Sequence, residues 1–214
     1  MNDLLSLFPL RTVLFPGSTL PLQIFEPRYI EMIGQCIDRN QSFGVVLIKE
    51  GVEVGGRAEP FDVGTSAQIQ NVLKFADGQM LLSAIGLHRF RIEHFVQQEP
   101  YLIASVTWLP DDVPPEASAL TDQVRMLYHR HREALAHATG ISQQVIDLPD
   151  DPVAVSYQLA DQFRVVDYSK QQLLEADLDE RLAAIAEALE RELRFLPNPP
   201  RIPPQTNDGP WTLN

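Results

Sequence analysis

A few residues in this 214-residue chain have the types and spacings that do chemistry. His129, Glu133 and His137 fall at i, i+4 and i+8, which places two imidazoles and a carboxylate on one helical face. A hydrolytic zinc helix needs H-E-x-x-H instead, with the general base adjacent to a ligand. That spacing is missing, so the run His129-Arg130-His131-Arg132 reads as a solvated face, and no metal or cofactor is expected. Cys36 lies among apolar residues in a helical pattern, where a thiol is buried and inert. No serine has G-x-S-x-G surroundings, and no serine–histidine–acid trio can be nominated. His88 and His94 stand among strand-forming residues without a partner cluster and read as structural.

The elements that must position these residues change character near residue 110. Before it, β-type runs cover Ser6–Leu10, Leu20–Phe25, Phe43–Glu50, Thr65–Phe75, Gln79–Leu87, Phe90–Val96 and Tyr101–Leu109. The alternation starting at Ala67 and Ile69 shifts near Val72, which predicts a bulge or bend. Asp77-Gly78 predicts a hairpin turn, and Gly86 predicts a bend or a close backbone approach. One helix interrupts the strands. It starts at Pro27 and places Ile30, Ile33 and Ile37 on one face, with Tyr29, Met32 and Cys36 beside it.

After the connector PDDVPPE the period turns helical. Leu120, Val124, Leu127 and Leu135 line one helix that stops at Gly140, and Asp151-Pro152 opens the next. Ser169 with Gln172, and Asp177 with Glu180, have the spacing of capping boxes. The proline-rich end, 197–214, cannot continue a helix and is expected to be an extended tail. The expected division is therefore 1–109, 110–196 and 197–214.

Charge and composition exclude several classes. The net charge is −12, with 8 basic and 11 acidic residues in 1–109 (−3) and 9 against 18 in 110–214 (−9). Such a field repels phosphate backbones, so nucleic-acid binding is disfavoured. One cysteine, no basic leader segment and no apolar run of membrane-spanning length fit a cytoplasmic protein with no membrane association.

The stretch Leu7–Tyr29 carries the most constraint. Pro9, Pro16 and Pro21 remove donors and bar both a helix and a long regular ladder, while the apolar residues between them demand burial. Its motifs are Leu7-Phe8-Pro9-Leu10, Leu14-Phe15-Pro16-Gly17 and Ile24-Phe25-Glu26-Pro27-Arg28-Tyr29. Val63-Gly64-Thr65-Ser66-Ala67-Gln68-Ile69 follows in order, then Leu87-His88-Arg89-Phe90-Arg91-Ile92, then Pro100-Tyr101-Leu102-Ile103-Ala104. Together these resemble the N-terminal domain of the Lon ATP-dependent proteases, over about residues 5–196.

That resemblance implies an α+β fold: a PUA-like β pseudo-barrel with one inserted helix, followed by a C-terminal helical bundle. It also implies recognition of polypeptides or partner proteins. The chain holds no G-x-x-x-x-G-K-[ST] phosphate loop, so a non-catalytic, free-standing recognition domain is expected, with a protease in trans as one partner. The alternatives are an RNA-binding module, a use to which PUA-like barrels are also put, and a small hydrolase.

The residues nominated for contact are Leu14, Phe15, Glu26, Arg28, Tyr29 and Arg89. Leu14 and Phe15 precede a turn and could form an apolar patch, although such residues more often fold inward. Glu26 and Arg28 serve either a ligand or the helix start. Arg89 either joins Arg91 in a small anion patch or pairs with Glu26 or another acid, with Arg91 solvated. An edge left by the proline-rich first strand is a further candidate, for strand addition.

Overall fold

The computed structural model describes residues 3–53, 58–141, 147–163 and 166–197. The 197–214 tail therefore lies outside the described residues, apart from Pro197. The strands are β1 (Asp3–Leu10), β2 (Thr19–Ile24), β3 (Phe43–Gly51), β4 (Ala58–Lys74), β5 (Met80–Gln97) and β6 (Leu102–Leu109). The helices are α1 (Pro27–Arg39), α2 (Ala117–Thr139), α3 (Pro152–Gln162), α4 (Asp167–Glu175) and α5 (Leu178–Leu193).

The strands form one mixed sheet in the order β2-β5-β4-β3-β1-β6, and β5 also pairs with β6. The second member, β5, therefore joins the last, β6, so β5-β4-β3-β1-β6 closes into a ring with β2 paired to β5 outside it. Closure depends on the 18-residue length of β5. Its first half pairs with β2 (Ile24↔Met80 to Thr19↔Ile85) and its second half with β6 (Arg89↔Leu109 to Gln97↔Ile103). The two runs Gln79–Leu87 and Phe90–Val96 are thus a single strand. Nothing in the local pattern distinguishes a bent long strand from two short ones, because a bend interrupts alternation in both cases.

Turn chemistry behaves as its residues dictate. Gly78 takes φ +87°, Phe75 N–H donates to the Gln79 carbonyl and Gly78 N–H donates to the Phe75 carbonyl across the β4–β5 hairpin. Register shifts in β4 occur between Thr65 and Ala67 and between Ile69 and Asn71, close to the expected bulge. Gly86 is a point of close approach, bonded to Gly17 and Ser18 of the turn before β2.

Three apolar clusters fill the molecule. Leu5, Leu7, Val46, Phe90, Ala104 and Val106 occupy the ring interior. Helix α1 packs Tyr29, Met32, Ile33 and Cys36 onto Phe8, Phe43, Met80 and Leu82. Its buried face is centred on these four residues, and Ile30 and Ile37 lie at its margin. The expected Ile30–Ile33–Ile37 stripe was rotated by about one position, because the larger Tyr29 and Met32 take the centre of the contact. The third cluster joins the helices to the sheet through Val13, Phe15, Leu47 and Val63.

Two cap expectations need correction. Helix α4 begins at Asp167 after Val166, so Ser169 lies inside its first turn and forms no box. Asp177 does sit at the N-cap of α5, but its side chain makes no capping bond. Asp151 does cap α3, accepting from the Ala154 N–H at 2.9 Å.

Candidate functional site

The chain leaves β2 through Phe25 and enters α1 at Pro27, a position suited to proline because the N–H it lacks would have no helical partner. Pro27 also pins this corner, so Glu26, Arg28 and Tyr29 are held on a rigid turn. Arg28 donates from Nε to the Glu26 carboxylate at 3.2 Å, and its Nη2 lies 3.0 Å from the same oxygen. The guanidinium sits 4.6 Å from the centre of the Tyr29 ring. Tyr29 stacks in turn on Phe8, with ring centres 4.2 Å apart. Burial pushes the Tyr29 hydroxyl above its ordinary pKa, as it does for Tyr101, so both stay neutral donors.

This corner forms one wall of a cleft of about 830 Å³. Pro9 of β1 contributes to the cleft, and Glu99-Pro100-Tyr101-Leu102, at the start of β6, forms a wall of its own; Glu59 of β4 completes the rim. Three separate sequence motifs, around Pro9, Glu26–Tyr29 and Pro100–Leu102, therefore converge on one concavity. A smaller recess of about 240 Å³, lined by Phe8, Leu10, Pro21, Ile24, Phe25 and Glu53, shares Glu26 and Tyr29 with it.

An apolar surface adjoins the same corner. In the sheet, Gln23 of β2 pairs with Leu81 of β5, which pairs with Leu73 of β4. Leu73 and Leu81 are exposed, and so are Phe25 and Phe75, each two residues further along its chain segment. Four large apolar side chains thus stand on or beside one outward stretch of sheet, and Phe25 directly precedes Glu26 of the cleft. Contiguous exposed surface of this kind marks contact sites.

The nominated residues separate into two groups. Glu26, Arg28 and Tyr29 come together at the cleft. Leu14 and Phe15 are 3% and 0% exposed and belong to two different core clusters, so they form no surface patch. Burying two large side chains is worth more than the turn gains by displaying them. Arg89 is also internal, at 3% exposure. It pairs with Asp111 at 2.8 Å, not with Glu26, and donates to the carbonyls of Leu174 and Ala176. Arg91 is exposed, so no Arg89–Arg91 anion patch forms.

Phe25, Leu73, Phe75 and Leu81 were not nominated from sequence. Only their cross-strand register, which is set by long-range pairing, brings them together. Tyr101 lies in the motif Pro100–Ala104, which reads as a strand, and Glu99 immediately precedes that motif.

The possible reactive groups are placed as follows. His131 Nε2 lies 2.7 Å from Glu192 Oε2. Among the described residues, no group of three or more His, Cys, Asp or Glu side chains could hold a metal ion. Burial pushes the Cys36 thiol up to about 11. Folding therefore holds it protonated, and its contribution to stability is lost as pH rises from 9 towards 11. At pH 8 the native protein is expected to resist iodoacetamide and to react promptly once unfolded in urea. Fast native alkylation, read by mass spectrometry, would contradict the burial.

An α+β domain with a ring-closed sheet and a set of helices packed on it is the class these features define. The chain belongs to the family described as the ATP-dependent protease La (LON) substrate-binding domain, which matches residues 5–191. It is 30% identical over 200 residues to Lon protease 2 of Myxococcus xanthus, covering 91% of this chain and 24% of that protein. The match to the Lon protease of Anaeromyxobacter dehalogenans is of the same kind, at 30% over 200 residues and 24% of the relative. The chain thus spans about a quarter of the length of these relatives.

Among solved structures, a Lon N-terminal domain protein from Xanthomonas campestris matches with a TM-score of 0.60 and 29% identity, covering 91% of this chain and 99% of that one. The N-terminal domain of a Mycobacterium avium complex Lon protease shares the fold, with a TM-score of 0.65 at 19% identity over 88% of this chain and 98% of that one. No helix among the described residues is long and apolar enough to cross a membrane.

Proposed function

We propose that this chain recognises polypeptide segments that expose apolar side chains, and that it does so without catalysing their cleavage. Family membership supports substrate recognition in general. The observation that carries the specific reading is the exposed set Phe25, Leu73, Phe75 and Leu81, in which Phe25 directly precedes Glu26 of the cleft. A folded protein hides such side chains, while an unfolded segment presents them, so this surface discriminates by what folding conceals. On this reading, cleavage belongs to a protease module or a protease in trans.

The test is a double substitution, Phe25→Ser with Leu81→Ser, both at exposed positions. Binding of a fluorescently labelled, permanently unfolded protein is expected to weaken by about tenfold or more, with an unchanged melting temperature. Undiminished binding by the double variant would remove the surface from the reading.

A further inference from the structure

We propose that the recognised segment binds in extended form, as a strand added to the edge of β4 beyond Ala67; this rests on the recognition reading above. Pairing with β3 ends at Phe43↔Ala67, while β4 runs on to Lys74 with β5 as its one strand neighbour among the described residues. Ser42 and Asn40 reach the side chain of Gln68, and beyond it Asn71, Leu73 and Lys74 are exposed.

The hairpin fixes which backbone groups face outward. Phe75 N–H donates to the Gln79 carbonyl, so this pair is hydrogen-bonded and the pairs behind it alternate. Leu73↔Leu81 and Asn71↔Ser83 are then bonded pairs, while Val72 and Lys74 turn their N–H and C=O groups away from β5. The same alternation, carried across β5, leaves Pro21 of β2 facing outward, where its missing N–H costs the ladder nothing. Proline thus blunts the outer edge of β2. The stretch Asn71–Lys74 contains no proline, and the outward groups of Val72 and Lys74 complement the backbone of another extended chain.

The side chains then define what that chain must carry. Successive residues of a strand point to opposite faces, so every second side chain of the added segment lies beside Leu73 and Phe75, in the row that Leu81 continues. A slip of one residue would turn its apolar side chains to the other face, so apolar contact pins the register. The substrate class is therefore an extended run with apolar residues at alternate positions, a pattern that folded sheets bury.

The experiment uses the full chain and a short labelled peptide of alternating leucine and serine. Two derivatives are N-methylated, one at the leucines and one at the serines. One derivative is expected to bind at least about tenfold more weakly than the parent, and the other within about twofold of it. Loss with methylated serines marks an antiparallel added strand, and loss with methylated leucines a parallel one. Lys74→Pro removes an outward N–H that β5 does not use. It is expected to weaken the parent by about fivefold at an unchanged melting temperature and to narrow the gap between the derivatives. Equal binding by all three peptides, or equal loss in both derivatives, would overturn strand addition and leave recognition of apolar segments standing. A gap that Lys74→Pro leaves intact would place the added strand on another edge and overturn this assignment. A dimer of the free chain that the parent peptide cannot dissociate would give the edge to a second copy, with the same result. Failure of both the parent and an unfolded protein to bind would overturn the recognition reading itself.

Discussion

Replacing Asp111 with alanine is expected to cost about 3–5 kcal/mol of folding stability. Its carboxylate is the only acid in hydrogen-bonding contact with two internal guanidiniums among the described residues. Arg89 lies 2.8 Å away and Arg181 2.9 Å away, with side chains 3% and 0% exposed. Tyr157 places its hydroxyl 2.8 and 2.7 Å from the two carboxylate oxygens and donates its one proton there. Burial holds that hydroxyl far above its ordinary pKa, so it remains a donor throughout any practical pH range.

The two cations come from different parts of the molecule. Arg89 stands on β5, and Arg181 stands on α5 with its guanidinium 3.9 Å from the Tyr157 ring. Both donate to the Ala176 carbonyl between α4 and α5, at 2.9 and 2.8 Å. Asp111, just after β6, is therefore the point at which the sheet and the helices are held together. Without it, two positive charges remain in a poorly hydrated site and repel each other across a shared carbonyl. Asp111→Asn keeps an acceptor but loses the charge, and is expected to fall between wild type and alanine. Urea denaturation decides the matter: a loss below about 1 kcal/mol for the alanine variant would show that water replaces the carboxylate at little cost.

Arg89 shows where sequence reasoning stops. Its strand position and its need for an acidic partner are both legible locally. The identity of that partner is not, because Asp111 lies 22 residues away in a segment that reads only as an acidic, proline-rich connector. Elements set by local chemistry are the readable ones: α1 from Pro27 and its apolar period, the β4–β5 turn from Asp77-Gly78, and α3 from Asp151-Pro152. The family motifs carried the fold further than periodicity could. They did not distinguish framework from contact surface, since the Leu14-Phe15 motif is core while the Glu26–Tyr29 motif lines the cleft. The apolar surface was invisible for a related reason. Leu73 and Leu81 are ordinary outward strand residues until pairing sets them side by side.

Gly86→Ala is the second change expected to have a large effect, at about 3 kcal/mol of destabilisation. A methyl group on Gly86 would collide with the Phe15 carbonyl oxygen and would lie 3.1 Å from the Phe15 carbonyl carbon and 3.1 Å from Thr65 Cγ2. The obstacle is backbone, which cannot rotate away as a side chain would. Nor can the turn retreat cheaply. Gly17 N–H donates to the Gly86 carbonyl at 2.9 Å, Gly86 N–H donates to Ser18 at 3.0 Å, and Thr65 donates to the Leu14 carbonyl at 2.6 Å. Phe15 is fully buried at the same point, so moving its backbone opens the core as well.

Gly34→Ala is the control. It lies within α1 with open space where a methyl would go, and it is expected to gain about 0.5–1 kcal/mol. Gly86→Ala carries a functional consequence too, because the clamped turn sets the start of β2, and β2 delivers Phe25 to the apolar surface. Binding of an unfolded protein is therefore expected to weaken in this variant even at temperatures where it stays folded. A variant within about 0.5 kcal/mol of wild type, with unchanged binding, would show that the turn neither holds the fold nor positions the surface.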